Sequence, residues 1–221
     1  MANTFLSNNL KFHKTLPLGE GFMLIMKKLL SVVLLTTSIL SYTQISTENI
    51  LDHKGERLPS VHYKDINNLL NAFVGTWLYD NGTTSLKIIL KKITSNNSLY
   101  LEDMIIGEYQ YVENGIEKVN TLNEIDIVYP NQISHHISGN SLIKKTTRPI
   151  CNDCSTNERR LRLGISEIGS FGTVLVRIID VNGQIGINIR IRRDESIAYV
   201  EGTPPPAEPK IPCGEFILIK Q

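Results

Sequence analysis

The sequence predicts an all-β fold, an antiparallel closed barrel or sandwich of about nine or ten strands with one short N-terminal helix. Three features lead to it. Between Ile185 and Arg192, the residues Ile185, Ile187, Ile189 and Ile191 alternate with Gly186, Asn188, Arg190 and Arg192, the period-two pattern of a strand with one buried face. Asn-Gly pairs recur at Asn81-Gly82, Asn114-Gly115 and Asn182-Gly183, each between strand-like runs, and this dipeptide tolerates the positive φ of a tight hairpin turn. Strands and helices nowhere alternate with βαβ spacing, which excludes a parallel nucleotide-binding sheet. A sheet of this many strands has to close on itself or split into two layers to remove its edges.

In chain order, Lys27 and Lys28 precede the apolar run Leu29 to Leu40. As a helix that run covers roughly 18 Å, well short of a hydrocarbon core of about 30 Å. Basic residues, a short apolar run and then small residues instead describe a secretory signal peptide. Ser41 and Thr43 suit the two small-residue positions of a cleavage site, which places the cut before Gln44. Met26 opens this segment, so residues 1–25 are read as lying upstream of the true start, 26–43 as the signal peptide and 44–221 as a single β-barrel-like domain. The expected location is secreted or periplasmic, with no membrane span in the mature chain.

Val61, Ile66, Leu69, Leu70 and Phe73 fall near helical spacing behind Pro59 and Ser60, which predicts the short helix, ended by Gly75. Strands are expected at Trp77 to Tyr79, Leu86 to Ile93, Leu101 to Tyr111, Ile116 to Val119, Gln132 to Ser138 and Ser141 to Thr147. Four more follow at Arg160 to Glu167, Thr173 to Asp180, Ile185 to Arg192 and Phe216 to Ile219. The segment Thr203 to Pro212 lacks most ladder donors and reads as an extended connection to the last strand. No repeat of propeller or solenoid length is present.

The 221 residues carry 23 basic and 22 acidic side chains, a net of +1. Four of the lysines and one glutamate lie in residues 1–43, leaving 19 basic against 21 acidic and a net of −2 in the mature chain. That balance steers the protein to neither nucleic acid nor anionic lipid. At 41% hydrophobic the chain fills a core, which argues against disorder.

Gly75-Thr76-Trp77 opens a strand behind a short helix. This resembles the start of the lipocalins, in which the tryptophan of a G-x-W strand plugs the closed end of the barrel; the family's T-D-Y element and its arginine stacked on the tryptophan have no counterpart in the sequence. The resemblance implies a ligand-binding barrel with Trp77 near the ligand. A longer pattern comprises Phe73-Val74-Gly75-Thr76-Trp77, Leu86-Lys87-Ile88, Gly107-Glu108-Tyr109-Gln110-Tyr111, Asn120-Thr121-Leu122 and the closing Ile211-Pro212 and Phe216 to Lys220. It resembles an uncharacterised family of small secreted flavobacterial proteins over nearly the whole mature chain. That likeness implies location and fold, and it supplies no catalytic residue.

Cys151 and Cys154 form a C-x-x-C with Cys213 far downstream. A structural zinc site wants four ligands, and no second pair is present; a thioredoxin-type site wants a helix N-terminus, whereas Asn152 and Asp153 are turn residues. In an oxidising compartment a structural disulfide is expected. A pair involving Cys213 is preferred over Cys151–Cys154 because it closes the larger loop. His135 and His136 are adjacent in an expected strand, so they face opposite sides and do not ligate one metal together. Arg160, Arg162, Arg177, Arg190 and Arg192 lie on three consecutive expected strands. If the registers align they form a basic patch for a carboxylate or sulfate, otherwise a solvated face interleaved with acids.

No G-x-S-x-G elbow, H-E-x-x-H motif or P-loop is present, so no enzyme activity, cofactor or metal is expected. The leading functional reading is a barrel that binds a small apolar or amphipathic ligand, with Trp77, Arg177, Arg190 and Arg192 as candidate contacts. The alternative is a structural or protein-interaction module of the cell envelope with a filled core and an exposed patch. A secreted hydrolase ranks third. Cavity or filled interior is the observation that separates the first two.

Overall fold

In the computed structural model, residues 18–39, 45–51, 55–167, 170–193 and 210–221 are described. The chain forms two compact units, Met1–Gln44 and Ile45–Gln221. In the first, helix α1 runs from Leu18 to Ile39, and among the described residues no helix is long and apolar enough to cross a membrane. The expected cleavage residues Ser41, Thr43 and Gln44 lie outside the described residues, as does the Pro-rich connection up to residue 209.

The second unit is built from β1 (Ser46–Asn49), β2 (Val61–Lys64), β3 (Gly75–Asp80), β4 (Ser85–Asn96), β5 (Leu101–Glu113), β6 (Ile116–Asn120), β7 (Ile137–Ile143), β8 (Arg160–Glu167), β9 (Ser170–Val181), β10 (Gln184–Arg193) and β11 (Gly214–Lys220). The strands β5-β4-β3-β11-β10-β9-β8-β7 are neighbours in that order, and β7 returns to β5. Every pairing around this ring is antiparallel. The result is a closed eight-stranded barrel, with β1, β2 and β6 added outside the ring. Closure leaves no open edge in the ring itself. At Asn114-Gly115 and Asn182-Gly183 both residues have positive φ, the geometry that lets a two-residue turn follow the twist of its strands.

The helix expected over 61–73 is corrected. Val61–Lys64 is a strand that pairs in parallel with β1 and β5, and only Leu69–Phe73 turns, as a 3-10 helix. Asn68 sits at φ 54, which a continuous α-helix does not accommodate. Asp65 supplies the reason for the break. Its buried carboxylate accepts hydrogen bonds from the backbone N–H groups of Leu69 and Leu70, both at 2.9 Å, and from Lys92 Nζ at 2.8 Å. It thus starts the turn as a side-chain cap. The two strands expected over 132–138 and 141–147 are likewise one strand, β7, preceded by a 3-10 turn at Gln132–Ser134. Its register shifts between Ser138 and Ser141, where Gly139 takes a φ of 143°.

Asp103 ties β2 to β5 beside this cap. Its carboxylate contacts His62 Nε2 at 3.0 Å, accepts from Thr94 Oγ1 at 2.8 Å and from the Asp65 N–H at 3.1 Å. Burial pushes its carboxyl up, yet the bonds from His62, Thr94 and the Asp65 amide outweigh that and hold it below the ordinary 3.8. A lowered folded value contributes stability that is complete above the ordinary pKa and is lost as pH falls through the folded one. Asp103→Asn is therefore expected to flatten the decline of stability on acidification below about pH 4. Urea midpoints measured across the acid range check this; parallel declines in both proteins would contradict it.

The barrel interior is filled with side chains. Trp77, Leu86, Leu90, Ile105, Tyr109, Leu161, Leu163, Ile187 and Ile189 are all buried in one cluster that Leu70 and Phe73 of the 3-10 turn join. Trp77 has no exposed surface and donates from Nε1 to the Phe73 carbonyl at 3.0 Å. The Lys220 ammonium lies 5.3 Å from its ring centroid, a cation–π contact. A Cβ at Gly75 would come within 2.8 Å of Lys220 Cε, so a glycine before Thr76-Trp77 leaves room for that lysine stem.

Candidate functional site

The even-numbered residues of β10 and their neighbours in register point away from the core, as the isoleucine alternation requires. Arg162 pairs with Leu175, Leu175 with Arg190 and Arg190 with Glu215 across four strands. Arg177 pairs with Asn188 in the adjacent row. Leu175, Asn188 and the loop through Pro149–Asp153 enclose an open cleft of about 330 Å³, into whose walls Arg160, Arg177, Arg190 and Glu215 are built and which Arg162 does not line.

Each arginine is held differently. Arg160 is 3% exposed and donates to the Pro149, Lys144 and Thr147 carbonyls at 2.7–3.0 Å, which shapes the loop that walls the cleft. Its Nε is buried with no hydrogen-bond partner among the described residues. Burial, with Arg177, Arg162 and Arg190 nearby, lowers its pKa from the usual guanidinium value, although Glu158 opposes. Arg177 donates to Glu158 at 2.6 Å and to Asp153, and these bonds raise its pKa. Arg190 donates to Glu215. Asp153 and Glu215 are both exposed, so their ion pairs with Arg177 and Arg190 are of modest strength.

The sequence-derived candidates divide. Arg177 and Arg190 meet in the cleft together with Arg160. Arg192 lies apart from them, on a smaller cavity of about 20 Å³ lined also by Ile165, Phe171, Ile191, Ile211 and Cys213. Trp77 lines neither space. The preferred Cys213 pairing is corrected: Cys151 bonds to Cys154, and Cys213 is free and exposed. Cys213 sits beside Ile165 and Gly172, whereas the disulfide lies by Arg160 and Arg177. Folding thus places the thiols at opposite ends of β8 and β9, and loop entropy acts only where the native geometry brings sulfurs together.

A second polar cluster, which no motif in the sequence marks, centres on Glu108. Glu108 lies on the outer face of β5, opposite Ile89, and is wholly buried. Its Oε1 lies 2.8 Å from His135 Nδ1, and its Oε2 lies 2.8 Å from His136 Nδ1. The expectation that the two histidines face opposite ways is corrected. They stand between the end of the 3-10 turn and the start of β7, outside regular strand geometry, and converge on one carboxylate. Glu124 Oε2 lies 3.8 Å from His136 Nδ1 and accepts from the Tyr129 hydroxyl at 2.9 Å. Burial raises the Glu108 pKa, but hydrogen bonds with His136, Thr121 and His135 hold it below its ordinary value. The Glu108 hydrogen bond in turn raises His136, against the effect of burial. The signal available in the sequence was the buried-strand position of Glu108, whose parity matches Met104 and Ile106; both pack under Ile125.

Residues 26–221 match a family of unknown function, DUF6705. The chain belongs to that family. The match spans all eleven strands, so the barrel, the arginine cleft and the Glu108 cluster all fall inside the family region. No curated protein and no solved structure matches the chain.

Proposed function

We propose that this DUF6705 protein is an exported recognition module that takes an anionic group, a carboxylate or sulfate, in the cleft on the outer face of its barrel. The observation that carries this is the convergence of Arg160, Arg177 and Arg190 on one open cleft of about 330 Å³, near the lower end of the size range of ligand sites. An incoming anion displaces Asp153 from Arg177 and Glu215 from Arg190, exposed pairs of the kind worth little, and gains charge-assisted bonds from both, while Glu158 keeps Arg177 and the loop carbonyls keep Arg160 in place. The packed interior, with Trp77, Leu86, Tyr109, Leu161 and Ile187 wholly buried in one cluster, supports an outer-face role over the carriage of an apolar ligand. Export rests on the signal-like run before Gln44, and the Cys151–Cys154 disulfide is in keeping with an oxidising compartment. A place in the cell envelope follows from the same reading.

The test is an amide-shift titration with glucuronate against glucose, which differ at one carboxylate. Glucuronate is expected to shift the amides of 150–153, 177 and 188–190, glucose is not, and Arg177→Gln with Arg190→Gln weakens binding by about tenfold or more. Equal responses to the two sugars, or glucuronate shifts elsewhere on the barrel, would contradict the proposal.

A further inference from the structure

We propose that Glu108 of β5, Glu124 of the turn over 122–124 and His136, just before β7, form a binding site for a divalent transition-metal ion of the zinc class, separate from the arginine cleft. The three donor atoms lie within 4.8 Å of one another. Ligand atoms about 2.0–2.1 Å from a tetrahedral ion stand roughly 3.3 Å apart. The observed His136 separations, 2.8 Å to Glu108 and 3.8 Å to Glu124, lie on either side of that spacing. Both His136 separations therefore come to the metal spacing with shifts of about half an ångström, and the two carboxylates lie within 4.8 Å of each other.

The surroundings have the form that metal sites take. Glu108 forms a floor with no exposure, while the side chains of His136 and Glu124 are 24% and 31% exposed. One side of the site is therefore open for entry and for a water as fourth ligand. His135 holds the far oxygen of Glu108, and the Tyr129 hydroxyl holds Glu124, so both carboxylates are oriented by a second layer of hydrogen bonds. His135 is itself fixed by the edge of the Tyr129 ring, at 4.9 Å between centroids. One imidazole nitrogen with two carboxylates favours a borderline ion over calcium or magnesium, which prefer oxygen alone. Two carboxylate charges and a neutral imidazole match the charge of the ion. Among the described residues the other cluster with metal-ligand atoms, Cys151, Asp153 and Cys154, has its sulfurs consumed in the disulfide.

The experiment is calorimetric zinc titration of the Cys213→Ser protein with its disulfide intact, which removes the one free thiol among the described residues as a competing ligand. One equivalent is expected to bind, with cobalt in its place giving visible d–d absorption. Glu124→Gln, at the exposed rim, is expected to abolish binding with an unchanged unfolding midpoint in the absence of metal. His136→Ala is expected to do the same to binding, and Tyr129→Phe to weaken it about tenfold. Absence of uptake by the Cys213→Ser protein, or uptake unaltered by Glu124→Gln, would overturn the site. Because Glu124→Gln leaves the buried Glu108–histidine contacts in place, its result stands even where His136→Ala fails to fold.

Discussion

Glu108→Ala is expected to lower the unfolding free energy by about 3–5 kcal/mol, the usual cost of removing one member of a buried ionic pair. The Glu108 carboxylate has no exposure and meets two imidazoles. Its loss leaves His135 without its Nδ1 partner and His136 beside a hole. For a domain of this size the midpoint of thermal unfolding falls by about 10 °C. Glu108→Gln keeps the volume and one carbonyl acceptor but turns an amide NH2 toward the second imidazole, so it falls between wild type and alanine. Chemical denaturation of the three proteins in metal-free buffer measures the series. A Glu108→Ala protein as stable as wild type would show that the cluster contributes nothing to the fold.

The second large effect is at Trp77. Trp77→Ala removes the largest side chain of the filled interior and its bond to the Phe73 carbonyl, at an expected cost of about 4 kcal/mol from lost burial and the cavity left behind. The Lys220 ammonium also loses the ring it covers. In a carrier the same residue lines a ligand space, and its truncation costs affinity for the ligand more than stability. Denaturant midpoints for Trp77→Ala against wild type separate the cases, because a loss below about 1 kcal/mol is too small for a fully buried tryptophan.

Local pattern was readable wherever one face of a strand is buried and the other is wet. The expected strand at Arg160 to Glu167 coincides with β8, and the alternation in β10 places Ile187, Ile189 and Ile191 inside. Ile185 is the exception: it stands next to the hairpin turn, beyond the packed core, and is exposed. Because the parity of β8, β9 and β10 was legible, so was the meeting of Arg177 and Arg190 on one face. The failures share a different origin. Val61 to Phe73 has apolar spacing that fits a helix, but the buried Asp65 competes for the amides of Leu69 and Leu70, and that competition depends on Lys92 from another strand. Strand alternation divides neighbouring residues between two faces, but His135 and His136 stand where the chain turns into β7 and so escape it. Glu108 gave no motif at all; its partners arrive from residues 121–136, which fold back over the outer face of β4 and β5. Cys213 stays free for a related reason, since loop length says nothing about which end of a strand a thiol reaches.

The filled barrel is tested most directly by native mass spectrometry of the protein isolated from the cells that make it. The expected spectrum, once metal ions are removed by chelation, shows no apolar organic adduct; any anionic one is lost in the protein with Arg177→Gln and Arg190→Gln. An added apolar organic mass that leaves on denaturation, and that the protein with Arg177→Gln and Arg190→Gln carries as well as wild type, would contradict a filled interior and return the protein to the ligand carriers.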